Sequence, residues 1–219
     1  MKYLLVFLSL LTCAFINAQE NIQDPEAARI LESVGEKFRS LPSFQTDFEL
    51  SILDRKDNSK NTSAGNLVLK QQKYKLNSEG SIVFYDGKTM WTYVQKSNEV
   101  TITEPRNNSG DFMSNPYGFF TSYKNEFKYR YVKETLNNGV TCHEIDLFPK
   151  NLNQPYSRIK VLINKQTSLP EAITSIGKDG VDYSVRLKNT VTSKVFPDTA
   201  FTFNPAEYKK VEIIDMRGL

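Results

Sequence analysis

The stretch Phe44-Gln45-Thr46-Asp47-Phe48-Glu49-Leu50-Ser51-Ile52 decides the architecture. Phe44, Thr46, Phe48, Leu50 and Ile52 alternate with Gln45, Asp47, Glu49 and Ser51, a period of two. Successive side chains of a strand point to opposite faces, so this segment carries one apolar and one wet face. Just upstream the period is different. Ile30, Leu31, Val34 and Phe38 fall at three- and four-residue spacing, the mark of a helix lying on something apolar. Asp24-Pro25-Glu26 supplies its N-cap, first-turn proline and early acid, and Pro42 stops it. Its other face carries Arg29, Glu32, Glu36 and Lys37.

Downstream the strand rhythm continues almost to the end. A polar loop over 54–63 leads to Leu67 and Leu69, alternating with Asn66, Val68 and Lys70, and Tyr74-Lys75-Leu76 follows. Residues 81–85 and 89–94 flank Asp86-Gly87, a strong hairpin signal. In 89–94 both faces are bulky, which leaves open whether Trp91 and Tyr93 or Met90 and Val94 turn inward. Val100 and Ile102 mark a short strand, and strand-like runs resume over 127–136, 141–148, 158–164, 171–177, 182–188 and 201–203. The region 105–123 breaks this pattern. It starts as a loop (Pro105, Asn107, Asn108, Ser109, Gly110), and Asn115-Pro116 then reads as the cap and first turn of a short helix. Phe112, Met113, Tyr117, Phe119, Phe120 and Tyr123 make it the most aromatic part of the chain. About eleven strands in one antiparallel run, with two helical interruptions, predict a mainly β single domain built as a large curved sheet or incomplete barrel. A wide sheet with an apolar face must cover that face, and the two helices are the available lids.

The N-terminus predicts export. Lys2, the apolar run over 4–11 and Ile16-Asn17-Ala18 have the layout of a secretory signal peptide, with cleavage near Ala18 and a mature domain over 19–219. Cys13 follows Thr12 and is itself followed by Ala14, Phe15 and Ile16, a poor match to a lipid-attachment cysteine. The formal charge of +3 falls by one when Lys2 leaves, and basic residues are scattered among acidic ones. Nucleic acid is therefore not an expected partner, because phosphate tracking needs clustered positive charge.

Catalytic chemistry is hard to find. His143 is the sole histidine, which excludes a His-rich metal site. There is no Gly-x-Ser-x-Gly turn and no glycine-rich phosphate loop. Cys142-His143 are neighbours on a strand and so point to opposite faces, which defeats a thiol–base pair; Cys142 is expected in the core and His143 at the surface. Asp54 and Asp57 read as a solvated turn rather than a metal site. No enzyme activity, metal or cofactor is predicted.

Several landmarks occur together and in order: Leu41-Pro42-Ser43-Phe44-Gln45-Thr46-Asp47-Phe48, Gly65-Asn66-Leu67-Val68-Leu69-Lys70, Asp86-Gly87-Lys88-Thr89-Met90-Trp91-Thr92-Tyr93 and Phe201-Thr202-Phe203-Asn204-Pro205. In these the chain resembles the outer-membrane lipoprotein carrier proteins, the LolA family. The resemblance implies an unclosed antiparallel β-barrel with an α-helical lid, and a periplasmic, monomeric carrier of acylated lipoproteins. Such carriers take cargo from an inner-membrane lipoprotein-releasing ABC transporter and deliver it to the outer membrane, often through an acceptor lipoprotein called LolB. Carried onto this chain, Phe44, Phe48, Leu50, Leu67, Leu69, Tyr74 and Leu76 would line the cavity, with Trp91 a further candidate. Phe112, Met113, Tyr117, Phe119 and Phe120 would belong to the lid. The family pattern has Arg-Pro after the lysine matching Lys70, and this chain has Gln71-Gln72, which weakens the expected latch. Alternating apolar positions are ordinary core in most proteins, so the residues alone leave Phe44 and Phe48 open between core and lipid contact. An envelope lipid-sensing or scaffold module on the same half-barrel is the competing expectation.

Overall fold

The computed structural model describes residues 23–105, 112 and 115–218. The expected signal peptide, Met113 and most of the loop before it lie outside these residues.

Helix α1 (Pro25–Ser40) starts where the capping signal puts it: the Asp24 side chain accepts from the backbone N–H of Glu26 and Ala27. It buries Ala27, Ile30, Leu31, Val34 and Phe38. Six strands follow as antiparallel neighbours: β1 (Phe44–Asp54), β2 (Lys60–Lys70), β3 (Lys73–Ser78), β4 (Ser81–Tyr85), β5 (Met90–Val94) and β6 (Glu99–Thr103). Two short helices, α2 (Pro116–Thr121) and α3 (Tyr123–Glu126), interrupt the series. The chain then returns through β7 (Phe127–Asn137), β8 (Val140–Pro149), β9 (Tyr156–Asn164), β10 (Pro170–Gly177) and β11 (Val181–Val191). A last strand, β12 (Glu212–Asp215), lies parallel to β6.

All twelve strands form one sheet in the order β12-β6-β5-β4-β3-β2-β1-β11-β10-β9-β8-β7. The first strand is thus inserted between β2 and β11, and β7 and β12 are the two edge strands among the described residues, β7 carrying a single bridge from Tyr129 to Gln23. This is the expected mainly β, unclosed half-barrel, with one strand more than anticipated.

Register explains which face is apolar. One row runs Tyr131, Ile145, Val161, Ile173, Val185, Leu50 across β7 to β1. A second runs Phe44, Leu69, Tyr74, Tyr85, Met90 from β1 to β5. Both rows join α1 and α2 in a single cluster, which defines the inner face. The outer face differs between halves. Over β3 to β6 it is covered by Phe203, Tyr208 and Val211, packed on Phe84, Tyr93 and Val100. Over β8 and β9 it carries ion pairs instead, Arg158–Asp146 at 2.9 Å and Lys160–Glu144 at 2.8 Å.

Two local expectations fail. Residues 201–203 do not form a strand: Asp198–Phe201 is a 3-10 turn whose Phe201 is fully buried, so the apolar alternation there is packing of a covering segment, not of a ladder. The presumed loop over 54–63 is shorter than expected, because Lys60 to Ser63 already pair with Leu53 to Leu50.

Candidate functional site

The inner face gathers the sequence-derived positions closely. Phe44, Phe48, Leu67, Leu69 and Tyr74 are buried in one cluster, with Leu50 and Leu76 half-buried against it. Phe48, Leu67, Tyr74 and Leu76 meet Val185 and Leu187 of β11 around a shared hollow. Phe112 and Pro116 close it, and only about 10 Å³ of open space remains. The hollow is therefore filled from above by the protein's own aromatic residues.

The lid is built from both helices. Asn115 caps α2 by accepting from the Gly118 N–H at 2.8 Å, with Pro116 in the first turn as the sequence suggests. Phe119 and Phe120 stand at 86° to each other, and Phe112 meets both edge-on at 5.8 Å. Phe120 stacks on Phe38 of α1 at 4.8 Å and 4°, and Phe38 in turn touches Phe44 at 5.1 Å. Tyr117 packs against the same cluster. Contacts among aromatic rings of this kind contribute about 0.5–1.5 kcal/mol each beyond area burial.

The ion pairs between α1 and the lid are exposed, and one tyrosine hydroxyl bonds beneath them. On α1, Glu32 accepts from Arg39 at 2.9 Å and pairs with Lys124 of α3. These hydrogen bonds, that to Lys124 foremost, hold the Glu32 carboxyl below its ordinary range. The Tyr123 hydroxyl donates to the Ala28 carbonyl at 3.4 Å, and burial pushes its pKa upward. Exposed ion pairs contribute about 0–1 kcal/mol, so the lid is held by ring packing rather than charge. Gln71 sits in the β2–β3 turn at φ +52 and shares a shallow recess with Tyr117, Phe38 and Phe44.

Two placements differ from expectation. Trp91 does not reach the hollow. It lies opposite Phe84 on the outer face, packed on the second cluster, and Met90 turns inward. The reason is register: Met90 pairs with Tyr85, which follows Tyr74 and Leu69 on the inner side. His143 is not on the bare outer face, since it pairs with Ile163 and its ring lies 5.8 Å from Tyr131. Cys142 is fully buried on the opposite side, where burial raises its thiol to about 11 and keeps it protonated. The two neighbours do point apart. Among the described residues no three metal-ligating side chains come together.

Sequence reasoning missed the contribution of β8 to β11, including Ile145, Val161, Ile173, Val185 and Leu187. Their alternation was visible, but not which face of β1 they would extend.

The described geometry agrees with known proteins. A profile described as outer membrane lipoprotein carrier protein LolA matches residues 45–173. An uncharacterized protein of Methanocaldococcus jannaschii is 25% identical over 213 residues, 96% of this chain and 60% of that protein, so the chain spans less than two thirds of this relative. The crystal structure of an uncharacterized conserved protein from Thermus thermophilus shares the fold, with a TM-score of 0.55 and 11% identity over 86% of this chain and 98% of that one. A LolA superfamily protein from Nitrosomonas europaea gives a TM-score of 0.43 at 11% identity, covering 81% of this chain and 97% of that chain. With the matched segment taking in more than half of the sequence and starting inside β1, the protein belongs to the outer membrane lipoprotein carrier family, LolA.

Proposed function

We propose that this protein binds the acyl chains of lipoproteins on the inner face of its sheet and carries them across the periplasm, from the inner to the outer membrane. The observation that carries the reading is the nature of the plug. The apolar hollow is closed by Phe112 and Pro116, backed by Phe119 and Phe120 on a six-residue helix. A short element whose apolar side chains fill a cavity can be exchanged for other apolar groups with little net cost.

Magnitudes support such an exchange. Exposing three phenylalanines costs roughly 5–9 kcal/mol at about 1.5–3 kcal/mol each, and about ten buried methylenes return some 8 kcal/mol at ~0.8 each. Acyl chains can then displace the lid, and the lid can expel them at the acceptor, with no covalent chemistry. Loading would come from an inner-membrane ABC transporter and release would go to an outer-membrane acceptor lipoprotein, with the carrier a monomer. No metal or cofactor enters this scheme.

Native mass spectrometry of protein purified gently from its own envelope tests the reading. Acylated lipoprotein should co-purify with the wild type. Leu76→Asp, at a half-buried wall position, should lose that cargo while keeping its thermal melt. Cargo retained by this variant, or a stable complex with a membrane regulator and no acyl group, would overturn the carrier assignment.

A further inference from the structure

The strand order gathers cations that the sequence scatters. Lys128 and Arg130 of β7 lie opposite Phe148 and Asp146 of β8, and Lys160 of β9 lies opposite Asp146 in turn, all on the outer face. The carboxylates are sealed beneath. Asp146 and Glu144 keep 3% and 10% of their side-chain surface, whereas Arg130, Arg158 and Lys160, which pair with them, keep 33%, 39% and 36%. Arg130 also lies over the Phe148 ring at 5.5 Å, and Lys128 is exposed. This end of the outer face therefore shows its positive groups to water and hides its negative ones.

Where these strands end, the loop over 150–155 joins β8 to β9 and holds Leu152 77% exposed. The loop is braced on both sides. The Lys150 ammonium donates to the Lys124 carbonyl at 2.6 Å and its backbone N–H to the Glu126 carbonyl at 2.8 Å. From β10, the Lys178 N–H donates to the Pro155 carbonyl at 2.9 Å and its ammonium to the Leu152 carbonyl at 2.5 Å. Within the loop, the Asn151 side chain accepts from the Asn153 N–H at 3.0 Å. Lys150 and Lys178 thus flank the leucine, and Lys128 and Arg158 stand within two residues of the adjoining strand ends. Of the acids beside this ring in the chain, Asp179 is turned to the Val181 N–H at 2.9 Å and Asp182 is paired with Arg55 at 3.3 Å. A lone exposed leucine is ordinary on a protein surface. A leucine on a braced tip, ringed by cations, suits an interface that has apolar depth below an anionic layer.

We infer that the 150–155 loop and the adjoining outer face of β7 to β9 dock on an anionic lipid bilayer. Leu152 enters the boundary between head groups and acyl chains, Lys150 and Lys178 keep their ammonium groups at head-group level, and Lys128 and Arg158 meet lipid phosphates. A nucleic acid offers phosphates without apolar depth for the leucine, so the bilayer is the better fit. The inference goes beyond the carrier reading. It concerns contact with a membrane surface rather than cargo, and none of its residues lines the inner hollow.

Vesicle flotation at low ionic strength tests it, with equimolar phosphatidylcholine and phosphatidylglycerol set against phosphatidylcholine alone. Both vesicles carry the same acyl chains, so uptake of lipid by the inner hollow does not distinguish them. The wild type should bind the anionic vesicles about tenfold more tightly or better, and added salt should remove the difference. Leu152→Asn should weaken that binding about tenfold, and Lys128→Glu by a similar factor, with thermal melts unchanged. Leu152→Trp should keep binding, and its fluorescence should shift to the blue on anionic vesicles alone. Leu76→Asp, which spoils only the inner hollow, should float as the wild type does even where it loses cargo. Equal binding to both vesicles, or none to either, would overturn the inference. So would wild-type flotation of Leu152→Asn and Lys128→Glu, or flotation lost in Leu76→Asp but kept in Leu152→Asn, which would trace the attachment to acyl uptake by the hollow.

Discussion

Gly65 stands opposite Phe48 in the β1–β2 register. A Cβ there would come within 2.3 Å of the Phe48 ring and 2.3 Å of the Asn77 carbonyl. The ring can swing, but the carbonyl belongs to the ladder and cannot. Gly65→Ala is therefore expected to destabilise the protein by about 1–3 kcal/mol, the usual cost of overpacking, and a denaturant melt checks it. An unchanged midpoint would mean that Phe48 is not fixed by this gap. His143 makes a second prediction. Its Nδ1 is buried without a partner, and burial lowers its pKa, opposed by Glu134 and Glu26 and assisted by Lys165 and Arg29. The unfolded imidazole takes up a proton near pH 6.5, which the folded one resists. Its neutral form thus stabilises the fold above that pH, and this contribution fades as pH falls toward the lower folded pKa. Urea midpoints should drop between pH 7 and pH 5.5, and His143→Gln should flatten the slope; a wild-type midpoint that rises on acidification would refute the assignment. What the sequence told at this scale was burial, not side. Phe44 and Phe48 were readable because polar residues flank them, whereas Trp91 sits among bulky neighbours on both faces and only its pairing with Phe84 decides its direction.

At the scale of elements, α1 and α2 depend on one another through the Phe38–Phe120 stack. Phe120→Ala should cost about 3–5 kcal/mol if the stack behaves as buried core. A second readout separates a lid from plain core: the variant should bind an apolar fluorescent dye that the wild type excludes, because the hollow beneath would then be uncovered. Loss of stability without dye uptake would mean that the surroundings collapse into the gap, and the lid assignment would fall. Both helices were legible from capping signals, since Asp24-Pro25 and Asn115-Pro116 act locally and need no tertiary partner. Strands with a clean period of two were legible for the same reason. The strand β12 was not. Glu-Ile-Ile-Asp has no alternation, all four residues are exposed, and its existence depends on a parallel pairing with β6 more than a hundred residues away. Phe201 misled in the opposite sense, because a turn that covers a sheet is as apolar as a strand within one.

For the whole molecule the insertion of β1 between β2 and β11 matters most, since it joins the two half-sheets into one apolar surface. Nothing in the local pattern specifies that junction, which joins strands more than a hundred residues apart. The open sheet leaves two edges. Edge β7 carries a register shift between Tyr131 and Lys133, and β12 is short and bounded by Glu212 and Asp215; bulges, brevity and charge are the usual guards against edge-to-edge pairing. A sheet so guarded can stay whole while its cover moves. If the lid opens separately, exposing Phe112, Phe119 and Phe120 must cost less than unfolding the sheet, whose total stability should lie near 5–15 kcal/mol. Native-state hydrogen exchange measures this directly. The Phe119 and Ser122 amides, bonded within the short helix to Asn115 and Gly118, should exchange through an opening clearly cheaper than that of the β1 and β11 amides. They should also respond weakly to low denaturant, as a small opening does, while Phe48 and Leu187 at the β1–β11 seam report global unfolding. Equal exchange free energies at all these sites would make lid and sheet one cooperative unit, and a carrier that cannot open short of unfolding cannot be loaded.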